Sequence, residues 1–142
     1  MYKYVGLIAI GLIISSAHAA CDGGTWVTSH KATDSGCSAS TCNEKTFCWS
    51  NKVIYNWWSA MTWCKANGMQ LASSSSLCPN TAVGSACTNM KGRISGDAWT
   101  STPENASTPR TYENGNLTAR FGYSNASYTH AICEEIPTTN NP

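Results

Sequence analysis

Charge is scarce in this sequence: only 12% of its 142 residues are Asp, Glu, Lys or Arg, with 9 basic side chains against 8 acidic ones. No stretch concentrates one sign, which excludes a strongly basic nucleic-acid binder and an acidic disordered tail. Long apolar runs are missing as well. The longest, Val5 to Ile14, spans ten residues, whereas a helix crossing a bilayer needs about 20.

That short run fits a targeting segment instead. Lys3 supplies the positive charge ahead of it, and Ala17-His18-Ala19 is the small-x-small site that a signal peptidase cuts. Residues 1–19 are therefore read as a signal peptide, with no stable membrane span in the mature chain. Without them the chain balances 8 basic residues against 8 acidic ones and keeps two histidines, His30 and His130. Steering toward phosphate or anionic lipid has no compositional support. The remainder suits one domain, since domains commonly hold about 100–150 residues; we assign it to 20–136 and read 137–142 as a disordered tail.

Cysteine is abundant by contrast. All 8 lie beyond residue 20, and an even number in an exported chain argues for a disulfide framework outside the cytosol. Eight cysteines allow 105 pairings, so spacing alone leaves the connectivity open. A lipidated Cys21 fits poorly, because His18 stands where such sites favour an aliphatic residue and lipidation would strand an odd cysteine. Cys37 and Cys42 are the closest approach to a zinc knuckle, but a single loose pair reads better as a local disulfide.

Along the chain, Cys21 to Phe47 is Gly-, Ser- and Thr-rich and reads as loop and short strand. Phe47-Cys48-Trp49 and Lys52-Val53-Ile54-Tyr55 look like strand pieces around a turn at Ser50-Asn51. The clearest helix starts at Asn56, a good N-cap, and places Trp57, Ala60, Met61 and Cys64 on one face before Asn67-Gly68 closes it. Trp57 and Trp58 are adjacent on this helix, so at most one faces the interior; the other covers a loop or forms a contact patch. The polar run Ser73 to Ser76 is a lead-in to another capped helix, and a second, weaker helix is expected over about Thr81 to Met90. Strands follow: Ala98 to Ser101, stopped by Pro103, then Thr111-Tyr112-Glu113 and Leu117 to Phe121 around the hairpin signal Asn114-Gly115, then Thr129 to Glu134. Helices first and strands afterwards imply a mixed α+β domain.

Several of these residues share a pattern. Phe47-Cys48-Trp49-Ser50, then Trp57, Ala60, Cys64, Gly68, Leu71, Ala72 and Ser73, and finally Ala131-Ile132-Cys133-Glu134 resemble the C-type lectin-like domain family in order and spacing. The resemblance implies a C-type lectin-like α+β fold, two short helices on small antiparallel sheets. It also implies that Cys64 and Cys133 form the disulfide joining the domain's ends. Cys21-Asp22-Gly23-Gly24-Thr25-Trp26 looks similar to the start of longer-form members, which suggests a Cys21–Cys48 pair. Cys78–Cys87 is assigned as a further pair with no motif behind it; these two cysteines fall earlier than the family's second conserved pair, so the chain reads as a compact variant without the long loop.

Departures from the family bear on function. Its calcium-dependent sugar binders carry E-P-N or Q-P-D and W-N-D triplets; this chain has Pro103-Glu104-Asn105, and Tyr123 to Tyr128 contains no acid. Calcium wants 6–8 oxygen ligands including several carboxylates, and residues 99–130 offer only Glu104 and Glu113. No calcium site and no other cofactor is expected.

Catalysis is not expected either. His30 and His130 belong to no recognisable triad or metal motif. Glu134 and Glu135 are neighbours on a strand and point to opposite faces, and bridged sulfur is no nucleophile. What remains is a recognition surface. From Thr100 to His130, 17 of 31 residues are Ser, Thr, Asn or Tyr, a chemistry that combines rigid amphipathic area with adaptable hydrogen bonds. Tyr112, Tyr123, Asn125, Tyr128 and His130 are the first contact candidates for a carbohydrate or protein ligand, with Asn105 and Asn114 next; the plain alternative for each is a solvated loop residue. Trp99 is expected in the core. The family also hosts hypervariable ligand binders with similar C-terminal stretches. Asn105, Asn116 and Asn125 each open a glycosylation triplet, which matters only in a eukaryotic host. The competing expectation is a structural or assembly component of an extracellular or envelope structure, with no soluble ligand.

Overall fold

A computed structural model describes residues 19–35, 37, 42–119, 122–124 and 128–137. The expected signal segment up to His18, the tail beyond Pro137, Asn125 and the Arg120-Phe121 end of the fifth expected strand lie outside the described residues. The elements are β1 (Gly24–Thr28), β2 (Thr46–Ser50), α1 (Trp57–Ala66), β3 (Gln70–Leu71), α2 (Ser74–Leu77), a 3-10 turn at Thr88–Met90, β4 (Asp97–Pro103), β5 (Pro109–Glu113), β6 (Asn116–Thr118) and β7 (Thr129–Glu134). This is a small α+β fold.

Helix α1 is set by its caps. Asn56 Oδ1 accepts from the Ser59 N–H at 2.8 Å, which satisfies an otherwise orphaned donor of the first turn. At the other end Gly68 takes φ 69°, so that Met69 N–H reaches the Cys64 carbonyl and Gly68 N–H the Lys65 carbonyl. That pair of bonds closes the helix in the left-handed manner glycine permits.

The sheet runs β1-β2-β7-β4-β5-β6, with β3 added along β7. All pairings are antiparallel except β4 with β7, so the expected small antiparallel sheets are corrected to one mixed sheet, in which β7 runs alongside β4 in the same direction. The last strand is thus an inner one, bonded to β2, β3 and β4. Strand alternation sends successive side chains to opposite faces, and here both faces are buried. Phe47, Trp49, Ala98 and Ile132 join Leu77, Met90 and the Cys78 and Cys87 sulfurs in one cluster. Cys48, Trp99, Ala131 and Cys133 meet Ala60 and Cys64 of α1 in the other. One face is therefore covered by the helix and the opposite face by the 77–90 segment.

All eight cysteines are bonded: Cys21–Cys48, Cys37–Cys42, Cys64–Cys133 and Cys78–Cys87. Four such bridges suit an oxidising environment. No helix among the described residues is long and apolar enough to cross a membrane.

Three further expectations are corrected. The second helix lies in the serine run itself, where the Ser73 side chain accepts from the Ser76 N–H; Thr81 to Met90 is turn with one short 3-10 segment, held by the Cys78–Cys87 bridge. Lys52 to Tyr55 is not a strand. Ile54 spends its backbone groups on tertiary partners, donating to the Thr129 carbonyl and accepting from the Trp99 indole. Finally, Tyr112 is only 2% exposed and belongs to the first cluster, for reasons given below.

Candidate functional site

The N-terminal end of α1 assembles an aromatic group. Trp57 opens the helix; its indole donates to the Thr100 carbonyl at 2.9 Å, and its backbone N–H donates to the Tyr123 carbonyl at 2.9 Å. These two bonds fix the helix start to β4 and to the loop after β6. Trp58, one step around the helix, points outward and is 56% exposed. The Tyr123 ring meets both indoles, edge-on to Trp57 at 5.0 Å and tilted against Trp58 at 5.7 Å. Aromatic pairs favour such edge and offset arrangements, each contributing about 0.5–1.5 kcal/mol beyond burial.

Polar groups border the rings. The Tyr123 hydroxyl donates to the Asn105 carbonyl at 3.1 Å. Asn105 Oδ1 in turn accepts from the backbone N–H and the hydroxyl of Ser107, each at 2.9 Å, and Arg110 Nε donates to Glu104 at 2.7 Å. The 104–108 turn is thereby braced beneath the ring that rests on it. Two further exposed aromatics, Tyr55 and Tyr128, flank the bonded pair Ile54 and Thr129 and belong to the same end of the molecule.

The residues proposed from sequence divide accordingly. Tyr123 and Asn105 come together, joined by a hydrogen bond. Tyr128 is exposed. His130 is half-buried and occupied: its ring stacks on Trp49 with centroids 4.4 Å apart, and Nδ1–H donates to the Ser50 carbonyl at 2.7 Å. Asn114 stands apart, at the tip of the β5–β6 hairpin with φ 46°, beside the segment whose Cys87 N–H donates to the Gly115 carbonyl. Tyr112 is corrected from contact residue to core residue, because β5 has α2 and its neighbours against it and buries both Thr111 and Tyr112. Burial pushes the Tyr112 phenol above its ordinary pKa, opposed by a backbone hydrogen bond at Gly115.

His30, the remaining histidine, serves a loop. Its Nε2–H donates to the Lys91 carbonyl at 2.7 Å, and Nδ1 lies 3.0 Å from Asp34, which also accepts from the Lys31 N–H and from Arg93. The Lys31 N–H bond first, and the His30 contact next, hold the Asp34 carboxyl below the usual carboxylate range. Among the described residues no three His, Cys, Asp or Glu side chains converge as metal ligands would.

Sequence reasoning missed Tyr55, read as strand, and the seating of Tyr123 between two indoles. The adjacent Trp57-Trp58 pair at a helix start was the available signal. Family models, curated proteins and solved structures provide no match to the chain.

Proposed function

We propose that the chain is a C-type lectin-like binding module, secreted or surface-exposed, that recognises a carbohydrate or protein ligand without calcium. The observation that carries this reading is the exposed Trp58 indole packed on a half-buried Tyr123, whose hydroxyl rests on a braced polar turn. A free indole face beside hydroxyl and amide groups offers stacking area and hydrogen bonds together, at little cost in side-chain entropy. Support for the fold assignment comes from the capped helix, its bridge to the inner last strand and the order of elements.

The test is a glycan array and a protein pull-down with the secreted protein in the presence of a chelator. The expected result is binding that survives chelation and falls at least tenfold in Trp58→Ala with the fold intact. Binding that requires calcium, or that is indifferent to Trp58 and Tyr123, refutes it.

A structural or assembly component is the second reading, and one feature favours it. β1 is an edge strand whose Trp26 is 49% exposed, the kind of edge on which another chain can add a strand. Loss of an assembled surface structure on deletion, with no ligand bound in either assay, would decide for that reading.

A further inference from the structure

The N-terminal segment reaches α1 at the helix's C-terminal end, and one residue receives it. Asn67, the C-cap of α1 and 4% exposed, accepts the Asp22 N–H on Oδ1 at 2.7 Å and the Ala20 N–H on its backbone carbonyl at 2.9 Å. Its own Nδ2 donates to the Trp63 carbonyl at 3.0 Å, which holds the side chain in place. The C-terminal end of a helix carries roughly half a negative charge, concentrated on carbonyls of this kind. The nitrogen of Ala20 is also the atom that removal of residues 1–19 changes from an amide to an amine.

We propose that the amino group released at Ala20 is a structural cation of the mature protein, held as an ammonium on the Asn67 carbonyl at the negative end of α1. The proposal rests on the cleavage site read from the sequence and is independent of the ligand-binding reading. In the processing step a peptidase hydrolyses the Ala19–Ala20 bond. The C–N bond breaks, the hydroxyl of water joins the Ala19 carbonyl carbon, and its proton goes to the Ala20 nitrogen. The new acid on Ala19 then loses a proton to solvent and the new amine gains one. An amide donor thus becomes a charged donor facing the same acceptor, and hydrogen bonds with an ionised donor are about twice as strong as neutral ones.

Acidic side chains outnumber basic ones around the site. Glu134 and Glu135 line the same groove as Ala19 and Gly68, and Asp22 is two residues along the chain. Lys65 in the last turn of α1 opposes the ammonium and is exposed, as Asp22 and Glu135 are, while Glu134 is half-buried and its Oε1 accepts from Gln70 Nε2 and the Ser73 N–H. Glu44 and Lys45, across the groove, offset one another. An ammonium held on that carbonyl is favoured over the neutral amine, so the folded amine is expected to titrate above the ordinary range of about 7.7–8.0. The stabilisation is complete below about pH 7.7 and disappears as the pH rises through the raised value.

The experiment secretes the full precursor from a bacterial host, identifies the N-terminal residue by mass spectrometry, and follows amine acylation against pH in the folded and urea-unfolded product. The expected result is a chain beginning at Ala20 whose folded amine titrates at least about half a unit above the unfolded one, which makes acylation at pH 7 about threefold slower. As a second measurement, Nα-acetylation of the product should abolish a fall in its urea midpoint above pH 8. An N-terminus at another residue, or an amine that titrates equally in both states, overturns the proposal.

Discussion

Removing the Cys64–Cys133 bridge should cost more stability than removing any other. The bond joins residues 69 apart in sequence, against 27 for Cys21–Cys48, 9 for Cys78–Cys87 and 5 for Cys37–Cys42. Loop-closure entropy turns those separations into about 4.4, 3.6, 2.6 and 2.1 kcal/mol at 25 °C. Packing adds to the loss: Cys64 and Cys133 are fully buried between α1 and the sheet, as Cys78 and Cys87 are on the other face, and alanine at both positions of either pair leaves a void with a further cost of order 1 kcal/mol. Domains of this size hold only about 5–15 kcal/mol in total. The Cys64→Ala/Cys133→Ala protein should therefore be marginal, with a urea midpoint lowered by about 3.6 M for a slope near 1.5 kcal/mol/M. The assay is urea unfolding of the four double-alanine proteins followed by tryptophan fluorescence. Equal losses for Cys37→Ala/Cys42→Ala and Cys64→Ala/Cys133→Ala would refute the reasoning, since the two loops differ more than tenfold in length.

Trp99→Phe should destabilise the fold by about 2–4 kcal/mol, combining a cavity with an orphaned Ile54 carbonyl, whereas Trp58→Ala should stay within about 1 kcal/mol in the same thermal unfolding measurement. Gly24→Ala should cost about 1–3 kcal/mol, because an added Cβ would stand 2.6 Å from the Trp49 carbonyl oxygen and within 3 Å of both sulfurs of the Cys21–Cys48 bridge; a neutral urea midpoint would contradict that packing. Gly115→Ala meets nothing within 4 Å but sits at φ 92°, so its loss should be a pure backbone effect of about 1–2 kcal/mol, visible as a lower midpoint with unchanged slope. Asp34, whose carboxyl is held below its usual range, supports its loop above the unfolded carboxylate value and loses that support as pH falls through the lowered one. Wild type should show increased exchange of the Lys31 amide below about pH 4, and Asp34→Asn should show it at every pH.

Local signals in the sequence were sufficient for some elements and not for others. Helix α1 was legible because Asn56, Gly68 and the apolar face act within a few residues, and the hairpin was legible because Asn114-Gly115 can adopt the positive φ values its two-residue turn needs. The 74–90 region was misread for a physical reason. A four-residue helix has too little length to show periodicity, and the segment after it takes its shape from a disulfide and from bonds to the β5–β6 hairpin. Tyr112 was misjudged because alternation along β5 does not apply where both faces are covered. At the candidate site, Tyr123 and Asn105 could be named from composition, but their contact spans 18 residues and depends on the Trp57 backbone bond that no local pattern reveals.

The inner position of β7 has a consequence for biogenesis. A ribosome delivers Thr129 to Glu134 after β1 to β6, yet β2, β3 and β4 all wait for that segment before their hydrogen bonds are complete. Nothing synthesised earlier can close the sheet, so the nascent polypeptide keeps β2, β3 and β4 incomplete until that stretch has left the ribosome. Premature termination anywhere upstream of residue 129 leaves three strands without their common neighbour and yields a product for quality-control proteases.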